Sequence, residues 1–251
     1  MKRIAKILTV ALIIVFLTAH TVLAQSEIPI FGEIFSAEEG QPTNYVFSLR
    51  VLILLTILTL APSILIMMTS FTRIIIVLSF IRNALGLQQT PPNQVIIGLA
   101  LFLTFFIMAP VGTQINEEAI QPFIREEISQ DLAYERAMAP IREFMFRQTR
   151  DKDLGLFLNM SKMEDVNNLD DIPNHVLIPA FIISELKTAF QIGFVIYIPF
   201  LVIDMIVSST LMSMGMMMLP PVIISLPFKI LLFILVDGWN LIVKSVVLGF
   251  K

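Results

Sequence analysis

Side chains able to do chemistry are few in this sequence, and they stand in unusual places. Asp204 and Lys229 lie inside apolar runs, Arg73 and Glu185 lie at the edges of others, and five methionines crowd Met212 to Met218. A charge in hydrocarbon costs about 2.5 to 3.5 kcal/mol on insertion scales, so each such residue needs a partner or water. Counting outward from a turn between Met216 and Met217, Asp204 lies 12 positions back and Lys229 lies 12 onward. An antiparallel helix pair then puts both at one depth, as an ion pair within a subunit or between adjacent subunits. In the alternative, Lys229 snorkels to an interface while Asp204 lines a wet channel. Methionine is unbranched and polarizable, so a cluster can seal a hole and still re-pack around varied guests. One or two would be ordinary gap-fillers. Met212, Met214, Met216, Met217 and Met218, beside the helix breakers Gly215, Pro220 and Pro221, point instead to a functional turn.

Enzymatic chemistry finds little support. The chain has no cysteine, which excludes disulfides, thiolate zinc sites, iron-sulfur clusters and thiol catalysis, and only His20 and His175 could supply imidazole. Neither an H-E-x-x-H nor a G-x-S-x-G string occurs. Asp204 and Asp237 suggest an aspartyl intramembrane protease, but Leu235-Val236-Asp237-Gly238-Trp239 lacks the glycine such enzymes place two residues before the aspartate. The net charge of -3 and the 17 scattered Lys and Arg residues offer no basic field for nucleic acid. Neither a cofactor nor a metal is expected.

The elements that must hold these residues are helical and apolar. Hydrophobic residues make up 56% of the 251 and charged residues 15%, against about 25% charge in a soluble domain. The bilayer is therefore the expected solvent for much of the chain. Residues 1–24 combine Lys2, Arg3 and Lys6 with an apolar stretch from Ile7 to Leu17 and a small residue before the break at Ala24 and Gln25, the parts of a secretory signal peptide. A retained membrane anchor is the alternative. After a polar stretch at 25–44, four apolar segments follow, near Val46 to Met68, Val95 to Val111, Phe190 to Met212 and Val222 to Leu248, each close to the roughly 20 residues a spanning helix needs.

The charges suggest an orientation. The connection 69–94 carries Arg73 and Arg82 and no acid, which suits cytoplasmic-side anchors, whereas 114–185 is rich in acids and suits the periplasm. Two apolar hairpins result, 45–113 and 186–251, the second with a Met-rich turn at 212–221. Within 114–185, Ile120, Ile124, Ile128, Leu132 and Tyr134 recur at helical spacing, predicting one or two amphipathic helices broken near Pro140, then a short helix at Leu154 to Met160.

The string from Pro179 to Phe194, with Pro179, Phe181, Glu185, Phe190 and Gly193 as its helix-packing positions, resembles the signature of the FliP/SctR family of type III secretion export gates. Met68-Thr69-Ser70-Phe71-Thr72-Arg73-Ile74, the stretch from Arg82 to Gln94, Phe200-Leu201-Val202-Ile203-Asp204 and Gly215-Met216-Met217-Met218-Leu219-Pro220-Pro221 agree with it. The resemblance covers the chain from about Tyr45 onward, and the signal peptide resembles the flagellar branch. It implies an all-α membrane protein of helical hairpins with a small helical periplasmic insertion, acting as a non-enzymatic subunit of a ring-like gate in the inner membrane at the flagellar basal body. It further implies a pentamer and FliQ and FliR gate subunits. FlhA and FlhB export components, membrane lipid and unfolded flagellar subunits as cargo complete the implied partners. The methionine turn would be the pore gasket, with Met216, Met217 and Met218 as the carried-over positions. A proton-coupled small-solute transporter is the competing reading, although no inverted repeat is evident in the sequence.

Overall fold

The computed structural model describes residues 42–87, 89–163, 168–216 and 218–250. The expected signal peptide with its Ala24 and Gln25 junction, nearly all of 25–44, and Met217 lie outside them. Every regular element among the described residues is a helix, which establishes the all-α class.

Helix α1 runs Pro42–Met67. Residues up to Ala61 form one unit and residues from Pro62 onward form another. The second unit contains α2 (Phe71–Ala84), α3 (Asn93–Ile115), α4 (Gln130–Gln148), α5 (Asp151–Met160), α6 (Asn174–Ser213), α7 (Pro221–Leu235) and α8 (Gly238–Leu248). A π-turn over Asn116–Ile120 and a last helical turn over Gln121–Ile124 prolong α3. Among the described residues, Asn93–Ile124 and Asn174–Ser213 are long and apolar enough to cross a membrane, and α7 with α8, bent by 64°, makes a third if counted as one span. The first of the four expected spans is represented by a shorter apolar stretch in α1, Val51–Ile64.

The centre of the fold is α2. Its 14 residues are too few to cross about 30 Å of hydrocarbon. One face of it is buried instead, with Ile74, Val77, Leu78, Ile81 and Ala84 packed against α3 and α6, while Phe71, Ile75, Ile76 and Phe80 on its other sides are half-buried. The sequence expects 69–94 to lie on one side of the membrane. In the structure α2 runs from beside the end of α3 to the start of α7. Met68 and Thr69 lie beside Ile115 at the far end of α3, while Gly86 lies against Val222 and Leu226 at the start of α7.

Continuous helices also cross two expected boundaries. Helix α6 is 40 residues long, so the division placed at 185/186 falls inside it. Helix α4 passes through Pro140, and the break comes earlier, at Arg125 to Ser129, where Glu126 takes a φ of 58°. Proline removes one helix hydrogen bond, but burial of Pro140, Phe144 and Met145 holds α4 on both sides of that gap. Those residues supply its core face, and the expected stripe of Ile120, Ile124, Leu132 and Tyr134 is exposed.

Candidate functional site

Two buried ion pairs, one near each end of α2, hold the long helix α6 and the bent pair α7–α8 in place. At the first, Arg73 uses its guanidinium fork fully. Its Nε donates to Glu185 Oε2 at 2.9 Å and its Nη2 donates to Glu185 Oε1, a bidentate pair of the kind only arginine makes. The same Nη2 donates to Gln148 Oε1 at 2.9 Å, and Nη1 donates to the carbonyl of Gly249 at 2.9 Å. The Phe250 ring lies 3.9 Å from the guanidinium carbon and stacks on Phe144. Arg73 thus joins α2, α4, α6 and the residues after α8. Arg73, expected as a cytoplasmic-side anchor, is 3% exposed, and its charge is met by Glu185. A loop charge count cannot register a cation that is neutralised inside the fold. Arg82 is half-buried at the α2–α3 corner and donates to Asn93 Oδ1.

At the second pair, Lys229 of α7 donates from Nζ to Asp204 Oδ2 of α6 at 2.6 Å and to the last carbonyl of α2, Ala84, at 3.2 Å. The lysine side chain is 2% exposed, the aspartate 27%. The Ser225 hydroxyl, one turn before Lys229, donates to Asp204 Oδ1. Both carboxylate oxygens are therefore held, and this within one chain.

The methionine turn follows from the end of α6. Gly215 takes a φ of +75°, Gly215 N–H donates to Met212 O and Met216 N–H to Leu211 O, which is the Schellman closure of a helix. Pro221 opens α7 at the position where a missing N–H costs nothing. Met212, Met214, Met216 and Met218 are all exposed, Met218 by 98%. Among the described residues nothing covers these apolar side chains on their tight turn.

The remaining signature residues build the α6 interfaces. Gly193 lets α6 approach α2 so closely that an added Cβ would come within 2.6 Å of Phe80 Cδ2. The ring of Phe80 also meets Phe190 edge to face at 5.3 Å, while Phe181 is buried against Phe144. Pro179 is half-buried inside α6.

Sequence reasoning missed several members of these networks. Gln148, Gly249, Phe250 and Ser225 carry no charge or motif to mark them. A further cluster ties α5 to α6: Arg150 N–H donates to Ser184 Oγ at 3.1 Å, and Ser184 Oγ and Arg150 Nε donate to Asp153 Oδ2 at 2.8 and 3.0 Å. Burial pushes the Asp153 carboxyl up, but the Ser184 hydroxyl and the charges of Arg150 and Lys187 outweigh it and hold the group below the usual carboxylate range.

With this geometry in view, relatives decide the family. The FliP family profile matches residues 54–246. The chain belongs to the FliP family. It is 62% identical over 220 residues to the flagellar biosynthetic protein FliP of Bacillus subtilis, covering 88% of this chain and 99% of that one. It is 55% identical over 207 residues to the FliP of Pectobacterium carotovorum, with 82% and 80% covered, and 55% identical over 210 residues to that of Aquifex aeolicus, with 83% and 88% covered. As a FliP member the chain is a flagellar biosynthesis and export component with helices able to cross a membrane.

Proposed function

We propose that this FliP chain is a structural pore subunit of the flagellar export gate, and that its methionine turn seals the closed pore. The observation that carries the reading is the pairing of a rigid base with a soft tip. The two helices flanking the turn are locked by Asp204, Ser225 and Lys229, and the turn itself presents Met212, Met214, Met216 and Met218 uncovered by any described residue. Flexible, polarizable side chains on a fixed mount can close around one another and yield to an unfolded chain of varied sequence.

In this reading the chain sits in the bacterial inner membrane at the basal body. It assembles with copies of itself, as a pentamer, with FliQ and FliR, and receives unfolded flagellar subunits from FlhA and FlhB. Exposed apolar side chains such as Ile120, Ile124 and Tyr134 on the α3–α4 surface are suited to cover by neighbouring subunits. The role is mechanical and needs no cofactor.

The test is ion conductance of membranes containing the complete gate. Deleting Met216 to Met218 should raise the resting leak. Unchanged conductance would refute the seal, and proton-driven uptake of a small solute by the purified protein alone would favour the transporter.

A further inference from the structure

The oxidisable sulfur of this chain is concentrated at one point. With no cysteine present, every sulfur is a methionine thioether, and five of the 14 methionines fall between Met212 and Met218. Met212, Met214, Met216 and Met218 are exposed, whereas Met68 and Met145 are buried in the core. The other exposed methionines among the described residues are scattered: Met67 and Met205 stand within the apolar helices α1 and α6, and Met160 ends α5. A peroxide transfers one oxygen to an exposed thioether, the O–O bond breaking as the S–O bond forms and water leaving, so the sulfur loses two electrons and the oxidant gains them. The product is a polar sulfoxide whose oxygen needs a hydrogen-bond donor or water. The turn has few donors to give. The N–H groups of Met214, Gly215 and Met216 already donate to the carbonyls of Thr210, Met212 and Leu211, the Ser213 hydroxyl donates to Thr210 O, and Pro220 and Pro221 carry no N–H. Sulfoxides on this turn therefore draw in water. The mount beneath is inert by comparison, because Asp204, Ser225 and Lys229 hold the two helices through a carboxylate, a hydroxyl and an ammonium.

We propose that the methionine turn is a reversible oxidation site, and that its sulfoxide form no longer seals. The inference rests on the reading of the turn as a pore seal, and adds to it a sensitivity that leucine in the same places would lack. Thioethers pack dry against one another and against a passing chain. Sulfoxides carry water into the same space, and a wet constriction conducts ions. A side chain that closes an aqueous passage borders water on at least one side, so a small neutral oxidant meets it there even in the closed gate. Both sulfoxide epimers are reduced back by the two classes of methionine sulfoxide reductase, so the seal is recoverable.

The test is the resting ion conductance of membranes containing the complete gate, before and after hydrogen peroxide, with sulfoxide mapped by peptide mass spectrometry on the same samples. Sulfoxide is expected on the turn methionines while Met68 and Met145 stay reduced, with a several-fold rise in leak that both reductases together reverse. Replacing all five turn methionines with leucine should abolish the rise, and Met160→Leu should leave it as in the wild type. Should the five-leucine variant fail to assemble, the reductase reversal in the wild type and in Met160→Leu decides. Turn methionines left reduced, a leak unchanged by their oxidation, or an equal leak in the five-leucine gate would each overturn the proposal. Deletion of Met216 to Met218 separates it from the reading beneath it: a deletion that leaks where oxidation does not sinks the oxidation switch alone, and a silent deletion sinks both.

Discussion

Arg73 and Glu185, 112 residues apart in the chain, form a bidentate ion pair from which water is almost wholly excluded. Such a pair contributes little net stability over well-packed apolar residues, yet removing one partner strands a buried charge and costs about 3 to 5 kcal/mol. Glu185→Leu should therefore destabilise the protein by about that much, and Arg73→Met with Glu185→Leu together should cost less than either change alone. Arg73→Lys keeps the charge and loses the fork, so it should fall between wild type and Arg73→Ala. Thermal unfolding in detergent measures the series, and additive single effects would show that the two residues are not coupled.

Lys229 and Asp204 make the same argument with an exchange. A swap, Asp204→Lys with Lys229→Asp, preserves attraction between the two positions but moves the lysine away from the Ala84 carbonyl and the Ser225 hydroxyl away from a carboxylate. The swapped protein should recover assembly only in part, above either single charge reversal and below wild type. Blue-native gels of membranes and swimming motility read this out. Equal failure of all three would count against pairing.

Close approach at Gly193 predicts a steric effect with a specific rescue. Gly193→Ala places a methyl into the Phe80 ring, and overpacking of this kind costs about 1 to 3 kcal/mol. Phe80→Ala removes Cγ and both Cδ carbons, the atoms that methyl would meet, so the two changes together should cost less than the sum of the two made singly. Melting temperatures of the four proteins form the cycle, and strictly additive losses would place the strain elsewhere.

How much of this was legible in the sequence depends on how local the signal is. The all-helical class and the apolar segments follow from residue type and run length, which are local. The approach of Asp204 and Lys229 also follows from local geometry, since a hairpin fixes the partner by counting from Met216. Arg73 and Glu185 are each conspicuous as charges at the edge of apolar runs, but their pairing depends on α2 lying flat against α6, and no pattern within either segment encodes that crossing. The burial of α2 was hidden for a related reason: α2 is apolar because it is packed in protein, and composition alone does not tell protein from lipid. Gln148, Gly249 and Phe250 join the site through position alone.

The Asp153 cluster yields a pH dependence whose sign can be worked out. The folded carboxyl titrates below its ordinary range, so the unfolded chain binds a proton more readily than the folded one does as pH falls. The stabilisation is complete above the ordinary carboxylate range, and it is lost as pH falls through the lower folded value. What is lost is the bridge from Asp153 to Ser184 and Arg150, so α5 should loosen from α6. Hydrogen exchange over Asp151–Met160, normalised for its intrinsic pH dependence, should accelerate relative to α3, which carries no titratable side chain, only as pH falls through and below the ordinary carboxylate range. Asp153→Asn should show the faster exchange already at neutral pH and little further change on acidification. Exchange in α5 that accelerates with acid equally in wild type and Asp153→Asn would remove Asp153 as the cause.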